Sequence, residues 1–305
     1  MSRKKKGAPL VDLSYAQAVP VLPFQATRIR LSLVGLGGTG SFLARHVACL
    51  VALLLSAGKE AHLTFIDPDR VEAGNIPRQH FCAAEIGQYK AQTLARRYAE
   101  GLGIEIGFIP TEFDPALIRI AWDELTVLVG CVDRASGRVA MESVLKENRM
   151  HVERKAAPRV WYLDLGNTLD SGQICLGSTE RVEDLEHAFS LSKLACVSLL
   201  PSPLMQQPKL REPRPEELTN HALSCAELLA ANAQALTVNP AMAVEGADYL
   251  YRLLITGDLK KFATFIDLPS GSMRSRYTTR ETLADTLGRP TAFFKRPVSS
   301  PPGQA

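Results

Sequence analysis

The chain has 305 residues, of which 46% are hydrophobic and 22% are charged, and its net charge is +3 at pH 7. This length allows one large domain or two modest ones with a substantial core, and the composition is that of a globular protein rather than a disordered or fibrous one. Four of the basic residues lie among the first six positions, so the rest of the chain is slightly negative, which disfavours a nucleic-acid-binding protein.

The six cysteines are far apart and form no C-x-x-C pair, which argues against a disulfide scaffold and an all-cysteine zinc site. The basic N-terminus is not followed by an apolar segment of signal-peptide length before Pro20. The most hydrophobic run, residues 47–55, is too short to cross a membrane. We therefore expect a cytoplasmic protein that does not associate with membranes.

Residues 1–28 carry the basic cluster, and their pattern predicts a flexible arm with one docked segment near residues 19–24. An apolar strand at residues 31–34 is followed by a glycine cluster and by a helix over residues 41–57. A second strand follows at residues 63–66. This succession opens a β-α-β unit, which predicts a parallel sheet.

The alternation continues through the middle of the chain, with helices predicted over residues 87–102, 115–122 and 135–148 and strands over residues 104–109 and 125–130. Two further strand-like runs, residues 160–165 and 172–176, are separated by a polar turn, so a hairpin fits them better than a crossover. The predicted fold class is therefore α/β: a Rossmann-like, mixed and mostly parallel sheet flanked by helices, with antiparallel C-terminal strands.

The C-terminal part of the chain is less regular. Residues 178–220 contain five prolines after position 200 and predict a crossover-like loop insertion. A long helix is predicted over residues 225–256, kinked or split at Pro240, and residues 262–268 and 272–278 predict a closing hairpin. A Pro-rich, disordered tail is expected over residues 285–305, which makes residues 29–284 a single domain.

Residues 35–40 read Gly-Leu-Gly-Gly-Thr-Gly, a G-x-G-x-x-G pattern that follows a predicted strand and opens a predicted helix. Glycines let a backbone turn sharply and approach a phosphate, while the helix N-terminus offers free N–H groups. The pattern predicts a nucleotide site, although a purely structural tight turn has the same requirements. Its glycines are Gly35, Gly37, Gly38 and Gly40.

Polar side chains follow the second strand. Asp67 ends it, at the position where such folds hydrogen-bond a ribose hydroxyl, although a turn aspartate before a proline is the alternative. Asn75, Arg78, Gln79 and Lys90 come soon after it. A guanidinium and an ammonium suit phosphoryl or nucleotidyl transfer, because negative charge builds on the transferring group. Each alone could be a solvated side chain, but together after a phosphate-binding turn they favour a site.

Asp133 follows the strand that ends at Gly130, again at a carboxyl end facing the same crevice. A carboxylate there can hold a Mg²⁺ ion that bridges the phosphates of a nucleotide. The alternative is a turn aspartate that caps the helix beginning near Ala135.

Taken together, these residues resemble the ThiF/MoeB/HesA family of E1-like enzymes, which adenylate the C-terminal carboxylate of a ubiquitin-like or sulfur-carrier protein. The resemblance covers roughly residues 31–254 and is strongest over residues 31–138. The matching stretches are residues 34–40, residues 66–71, the N-x-x-R-Q loop at residues 75–79, Lys90, and residues 131–133 with Arg138. Residues 161–167, 171–177 and 224–225 look more specifically like the ThiF relative of the bacterial, often plasmid-borne PRTRC cassettes.

The resemblance implies that Asp67 holds the ribose of ATP, that Asp133 positions magnesium, and that ATP and Mg²⁺ are the cofactors. It also implies a homodimer that acts on a ubiquitin-like or sulfur-carrier protein. The residues expected to act in catalysis are Arg78, Lys90, Asp133 and Cys225, and those expected to bind the cofactor are Gly35, Gly37, Gly38, Gly40, Asp67, Asp69, Asn75 and Gln79.

Three departures from the family pattern stand out. The chain has Arg134 where the family commonly has an asparagine after the aspartate. The R-Y-x-R-Q segment that supplies an arginine to the partner subunit's ATP is absent, and Arg28 and Arg30 are its nearest substitutes. The paired C-x-x-C motifs of many relatives are missing, so we expect no zinc.

E1-like enzymes often pass the activated acyl group to a cysteine thiolate. Cys225 is the best candidate, because it precedes the last long helix, whose N-terminus favours a thiolate, although a structural cysteine is an equal alternative. Cys196 is a second candidate, and Cys49, Cys131 and Cys175 lie in core patterns.

The leading hypothesis is an ATP-dependent adenylyltransferase for the C-terminal carboxylate of a small carrier protein, with possible transfer to a cysteine. One alternative is an E1-like enzyme that adenylates a non-protein carboxylate. Another is a nucleotide-binding scaffold in a plasmid-borne PRTRC cassette. A dinucleotide oxidoreductase is the least favoured, because no dehydrogenase requires this combination of residues.

Overall fold

Eight β-strands form one mixed sheet in the computed structural model, which describes residues 13–189, 196–213 and 225–295, with the backbone alone over residues 225–235. The strands are β1 Arg28–Val34, β2 Glu60–Ile66, β3 Ile106–Ile109, β4 Glu124–Gly130, β5 Val160–Asn167, β6 Ser171–Gly177, β7 Lys261–Asp267 and β8 Ser272–Tyr277. Their order across the sheet is β3-β2-β1-β4-β5-β6-β7-β8.

The first five strands are parallel: β1 pairs with β2 and β4, β2 with β3, and β4 with β5. From β5 to β8 each neighbouring pair is antiparallel. The predicted fold class is therefore confirmed, including the hairpins in the C-terminal part of the sheet. The carboxyl ends of the parallel strands form one edge, where such folds bind ligands.

Helices cover both faces of the sheet. They are α1 Ser14–Gln17, α2 Gly38–Ser56, α3 Lys90–Leu102, α4 Ala135–Ser143, α5 Arg149–Glu153, α6 Pro203–Gln206, α7 Cys225–Tyr251 and α8 Arg280–Leu287. A π-helical turn, Arg252–Thr256, follows α7. Helices α2, α3 and α7 share the larger apolar core, and α4 and α6 share a smaller one.

Helix α2 is the centre of the larger core. Its buried side chains recur with the helical period, as Leu43, Val47, Val51 and Leu54 show. By length and composition alone it could also cross a membrane, with a mean hydropathy of 1.6 over 18 residues, but 56% of that window is buried inside the protein. That burial is what the core helix of a globular protein shows.

Two predicted elements differ from the structure, and a third, the helix with Pro240, forms without being split. The helix expected over residues 115–122 is wrong: only the 3₁₀ turn Pro115–Leu117 forms, because Ile118 is extended and joins Leu117 and Ile120 against the smaller core. The helix expected to reach residue 148 ends at Ser143 and continues as a 3₁₀ turn. Pro240 lies within α7, which remains one helix.

The two ends of the domain are more ordered than their composition suggests. Val21 is buried and pairs with Val197, in agreement with a docked segment near residues 19–24. At the other end, α8 and a 3₁₀ turn Thr291–Phe293 occupy part of the expected tail, and Phe294 is 2% exposed because it packs against Phe189. Residues 296–305 lie outside the described part of the chain.

Candidate functional site

The glycine turn lies at the carboxyl edge of the sheet, between β1 and the first residue of α2, Gly38. Gly35 has φ +83°, and a β-carbon there would lie 2.7 Å from the Cys131 carbonyl oxygen. A β-carbon on Gly40 would lie 1.8 Å from the Gly35 carbonyl oxygen. These two positions therefore require glycine for backbone reasons, and the turn points the N-terminus of α2 towards the crevice.

Hydrogen bonds to Asp67 connect this turn to the loop after β2. One carboxylate oxygen accepts the Leu36 N–H at 2.5 Å, and the other accepts the Asp69 N–H at 2.8 Å. Burial raises the pKa of the Asp67 carboxyl, although these two N–H groups and the Lys90 ammonium lower it. Asp67 thus has a structural role at this edge, and its contact with a ribose remains a prediction.

Lys90, the first residue of α3, brings a cation to the same edge. Its ammonium lies 2.9 Å from a carboxylate oxygen of Asp69, and its side chain is 6% exposed whereas that of Asp69 is 63% exposed. A buried lysine held by an exposed carboxylate is restricted in direction, so Asp69 orients the Lys90 ammonium.

The N-x-x-R-Q loop lies beside the turn. Asn75 uses its side-chain oxygen to accept the Glu72 N–H at 3.0 Å, which shapes the loop. Arg78 Nε and Gln79 Oε1 are buried and have no hydrogen-bond partner among the described residues. A buried polar atom without a partner costs about 1–3 kcal/mol, so these two atoms indicate a place for a polar ligand.

Asn239 of α7, which is not among the predicted site residues, connects several parts of the site. Its side chain is buried, and its Nδ2 donates to the Arg78 carbonyl at 3.1 Å. Its Oδ1 accepts the Thr39 hydroxyl at 3.3 Å and Asn167 Nδ2 at 3.0 Å. A β-carbon added to Gly38 would lie only 2.6 Å from Asn239 Nδ2. The available signal was an asparagine directly before Pro240, in a mostly apolar stretch of the helix.

Asp133 is exposed and follows β4 on the same edge. Cys131, two residues earlier, donates its N–H to the Val34 carbonyl at 2.8 Å, which places this segment against the glycine turn. Arg134, the departure from the family pattern, lies 3.8 Å from Glu112 in an exposed ion pair. No group of three metal-ligating side chains occurs among the described residues.

Arg138 on α4 lies behind Asp133 and joins it to β5. Its Nη1 donates to the Asp133 carbonyl at 3.1 Å, and its Nε donates to Asp164 Oδ1 at 3.3 Å. The Tyr162 hydroxyl donates to the same oxygen at 2.7 Å. Burial raises the pKa of the Asp164 carboxyl, while Arg138 and Tyr162 act in the opposite direction. This buried network lies where the parallel and antiparallel strands meet.

A groove of about 710 Å³ opens over the antiparallel strands next to this network. Its lining includes Arg138 and Asn167 at one end and Phe265 and Arg274 further along the sheet. Two residues at this end of the groove bond to residues of the crevice: Asn167 to Asn239, and Arg138 to the Asp133 carbonyl.

Arg28 and Arg30, the suggested substitutes for a partner-subunit arginine, lie at the opposite edge of the sheet. Arg30 forms two hydrogen bonds to the fully buried Glu124, at 2.8 and 3.0 Å. Arg28 pairs with Glu60 at 3.0 Å and with Asp123 at 3.2 Å. Both begin strand β1, so they lie at the amino ends, away from the crevice of their own chain, and a role at a partner subunit's nucleotide stays a prediction.

Three of the cysteines are wholly or partly buried, and they differ from Cys225, the predicted nucleophile. Burial raises the pKa values of the Cys131 and Cys175 thiols, so neither is an activated nucleophile. Cys196 is also buried, at 7% exposure. Cys225 is the first residue of α7, the position at which a helix N-terminus favours a thiolate. Its side chain lies outside the described part of the structure, so its role stays a prediction.

These observations fit a nucleoside triphosphate. A β-carbon on Gly37 would have a single neighbour within 4 Å, Gln79 Nε2 at 4.0 Å, so there is room beside the turn for phosphates. The helix N-terminus, the unpartnered Arg78 Nε and the Lys90 ammonium supply complementary charge. A nucleotide-bound Mg²⁺ needs only one or two protein carboxylates, so the exposed Asp133 is compatible with one.

The comparison with protein families agrees with this site. The ThiF family model matches residues 25–157, a stretch that contains the glycine turn, the N-x-x-R-Q loop and Asp133. These residues, somewhat under half of the chain, are therefore similar to the ThiF family. No curated protein matches the sequence.

Several solved structures are similar to the chain. PaaA is 14% identical, with a TM-score of 0.46 and with 83% of this chain and 65% of PaaA covered. Escherichia coli MccB with ATP is 16% identical, with a TM-score of 0.48 and coverage of 91% of this chain and 70% of MccB. MccB with MccA gives 15% identity, a TM-score of 0.48 and coverage of 87% and 66%. The chain thus spans about two thirds of the length of these proteins.

Proposed function

We propose that this protein is an ATP-dependent adenylyltransferase that activates the C-terminal carboxylate of a ubiquitin-like or sulfur-carrier protein. The observation that carries the proposal is the buried Arg78 Nε, which has no partner among the described residues and belongs to a loop fastened to the glycine turn. A guanidinium with an unused donor beside a helix N-terminus is arranged for an anion.

The residues of the crevice would act on different parts of the reaction. A substrate carboxylate attacks the α-phosphorus of ATP and pyrophosphate leaves, so negative charge builds between the two. Arg78 and Lys90 would neutralise that charge, and the N-terminus of α2 would hold phosphate oxygens through backbone N–H groups. Asp133 would hold the Mg²⁺ ion, which neutralises phosphate charge when it is bound. Asp69 would keep the Lys90 ammonium directed at the site.

The groove supports a second substrate that approaches from the antiparallel strands, because Asn167 and Arg138 at its end bond to Asn239 and Asp133 of the crevice. A carrier protein could place its C-terminal end there while its folded part stays outside. In this proposal Cys225 would accept the acyl group after adenylation. The protein would act in the cytoplasm, in a PRTRC-type cassette.

An exposed apolar stripe supports the proposal of a homodimer. Leu236, Val244 and Tyr251 of α7 are 61%, 59% and 43% exposed, and Ile255 in the following turn is 38% exposed. Their spacing follows the helical period, so they share one side of the helix. Exposed apolar side chains on one side of a helix are typical of a protein contact.

The direct test is exchange of radiolabelled pyrophosphate into ATP, with magnesium and each small ubiquitin-like protein encoded beside the gene. We expect carrier-dependent exchange that Asp133→Ala abolishes and that Cys225→Ala spares, since the cysteine acts only after adenylation. Absence of exchange with every folded carrier contradicts the proposal. Binding of ATP without turnover then supports the scaffold alternative, and binding of NAD but not ATP supports the oxidoreductase alternative.

A further inference from the structure

His80 follows Gln79 directly, and its backbone is held by helices α2 and α3. Its N–H donates to the Ser41 hydroxyl of α2 at 2.9 Å. Its carbonyl accepts Arg97 Nη1 of α3 at 2.8 Å. The two helices therefore fix the backbone at the point where the N-x-x-R-Q loop ends.

The imidazole ring of His80 bridges the same two helices. It stacks on Phe42 of α2, with the ring centroids 5.4 Å apart and an interplanar angle of 25°. Its Nδ1 lies 2.9 Å from the hydroxyl of Tyr98 on α3, and Tyr98 is only 7% exposed. The ring thus has an apolar support on one helix and a polar anchor on the other, which together fix its direction.

Both partners of this anchor are neutral at pH 7. Burial lowers the pKa of His80, and Arg97 and Arg45 lower it as well, while Glu85 acts in the opposite direction. Burial raises the pKa of the Tyr98 hydroxyl. A neutral imidazole has one acceptor nitrogen, to which the tyrosine hydroxyl can donate. The anchor is therefore a hydrogen bond between neutral groups.

The loop that ends at His80 carries two buried side-chain atoms without partners. Arg78 and Gln79 donate their N–H groups to the Asn75 carbonyl, at 3.1 and 2.9 Å, so they belong to one tight turn. Arg78 Nε and Gln79 Oε1 have no hydrogen-bond partner among the described residues. Because no bond holds these two atoms, their positions depend on the backbone of the turn.

We propose that His80 is a positioning residue, which keeps Arg78 and Gln79 in place for the nucleotide through its bond to Tyr98. The inference rests on the proposed function and deepens it, because it assigns the order of the nucleotide loop to a pair of residues that need not touch the ligand. When the bond to Tyr98 is broken, the turn opens more often, and a ligand must then order it on binding at a cost in affinity.

Two variants break the anchor with little change of shape. His80→Phe keeps an aromatic ring against Phe42 and loses Nδ1, and Tyr98→Phe removes only the hydroxyl. We expect each to accelerate hydrogen exchange of the loop amides at residues 75–81 by about fivefold, the factor that corresponds to one ordinary hydrogen bond. Mass spectrometry of the full chain without nucleotide measures this exchange. Calorimetric titration should show ATP affinity weakened by a similar factor.

A conservative variant and a matched control separate positioning from a general loss of stability. His80→Asn carries an amide oxygen near the place of Nδ1, so it should keep the bond to Tyr98 and stay within about twofold of the wild-type protein in both measurements. His46→Ala changes another partly buried histidine of α2 near Arg45, and it should leave loop exchange and ATP affinity unchanged.

Three outcomes overturn the proposal: unchanged loop exchange in His80→Phe and Tyr98→Phe, faster exchange without weaker ATP binding, or a His80→Asn protein as impaired as His80→Phe. Loop exchange is measured without ligand or turnover, so its result is independent of pyrophosphate exchange. Normal pyrophosphate exchange with unchanged loop exchange removes this inference alone, whereas a wild-type protein that binds no ATP contradicts the proposed function as well.

Discussion

The parallel and antiparallel parts of this sheet differ in how strongly the backbone restricts their residues. In the parallel part, strand β1 ends at a glycine turn whose shape is imposed by the backbone, because Gly35 and Gly40 lie too close to neighbouring carbonyls to carry a side chain. Strands β6–β8 line a groove whose residues belong neither to the glycine pattern nor to the N-x-x-R-Q loop. Under the proposed function, the parallel part would hold the nucleotide, where the backbone restricts the residues, and the antiparallel part would select the second substrate.

Two buried polar residues connect these parts. Asn239 joins the glycine-turn helix to the end of β5 and to the Arg78 carbonyl. Arg138 joins Asp133 to Asp164. Since both lie at the junction, changes there should affect ligand binding more than equally buried changes elsewhere.

The largest expected effect is in the parallel part. Gly40→Ala puts a β-carbon 1.8 Å from the Gly35 carbonyl oxygen, so the backbone of the turn must move. We expect a loss of at least about 3 kcal/mol in the free energy of unfolding, measured by chemical denaturation. Gly101→Ala, which meets no atom within 4 Å, is the control and should cost nothing. A Gly40→Ala protein as stable as the control contradicts the backbone account of the turn.

A pair of buried asparagines tests the junction. Asn239→Ala removes three hydrogen bonds at the carboxyl edge and should cost about 1–3 kcal/mol of stability and about tenfold in ATP affinity. Asn148→Ala removes bonds to Val160 and Ser178 at the amino edge, so it should destabilise similarly without changing ATP affinity. Thermal denaturation and calorimetric titration with ATP measure both quantities. If both variants lose the same amount of ATP affinity, the carboxyl edge has no special role in binding ATP.

Arg30 tests whether the amino edge takes part in the reaction. Arg30→Met leaves the buried Glu124 without its two hydrogen bonds and should cost about 1–2 kcal/mol, a value reduced because Arg30 is about one third exposed. Pyrophosphate exchange should be unchanged, because these residues lie at the other end of the strands. If the variant stays folded but loses pyrophosphate exchange, Arg30 takes part in the reaction.

The smallest effect on the folded monomer is expected at the apolar stripe of α7. Val244→Asp changes a side chain that is 59% exposed, so the monomer should lose no more than about 0.5 kcal/mol. If the stripe is the dimer contact, a charge there should shift light-scattering mass towards the monomer. Exposed Glu147→Gln, on the other face of the sheet, serves as the control. An unchanged dimer, or a monomeric wild-type protein, argues against this contact.

Much of this fold could be predicted, because its strands are short apolar runs bounded by glycine and polar residues. The helix expected at residues 115–122 failed because packing of Ile118 and Ile120 overrides the local preference. The glycine turn and its loop were recognisable because their backbone requirements restrict the sequence. Asn239 and Asp164 were not, since each is a single polar residue in an apolar segment and acquires its partners only from distant strands.

The most direct test of the central claim is mass spectrometry of the carrier after incubation with the protein, ATP and magnesium. We predict that a carrier with a free C-terminal carboxylate gains the mass of an adenylate, that a carrier ending in a carboxamide does not, and that Arg78→Met abolishes the gain. An adenylate on the carboxamide carrier, or none on the free carboxylate with the wild-type protein, would contradict the account.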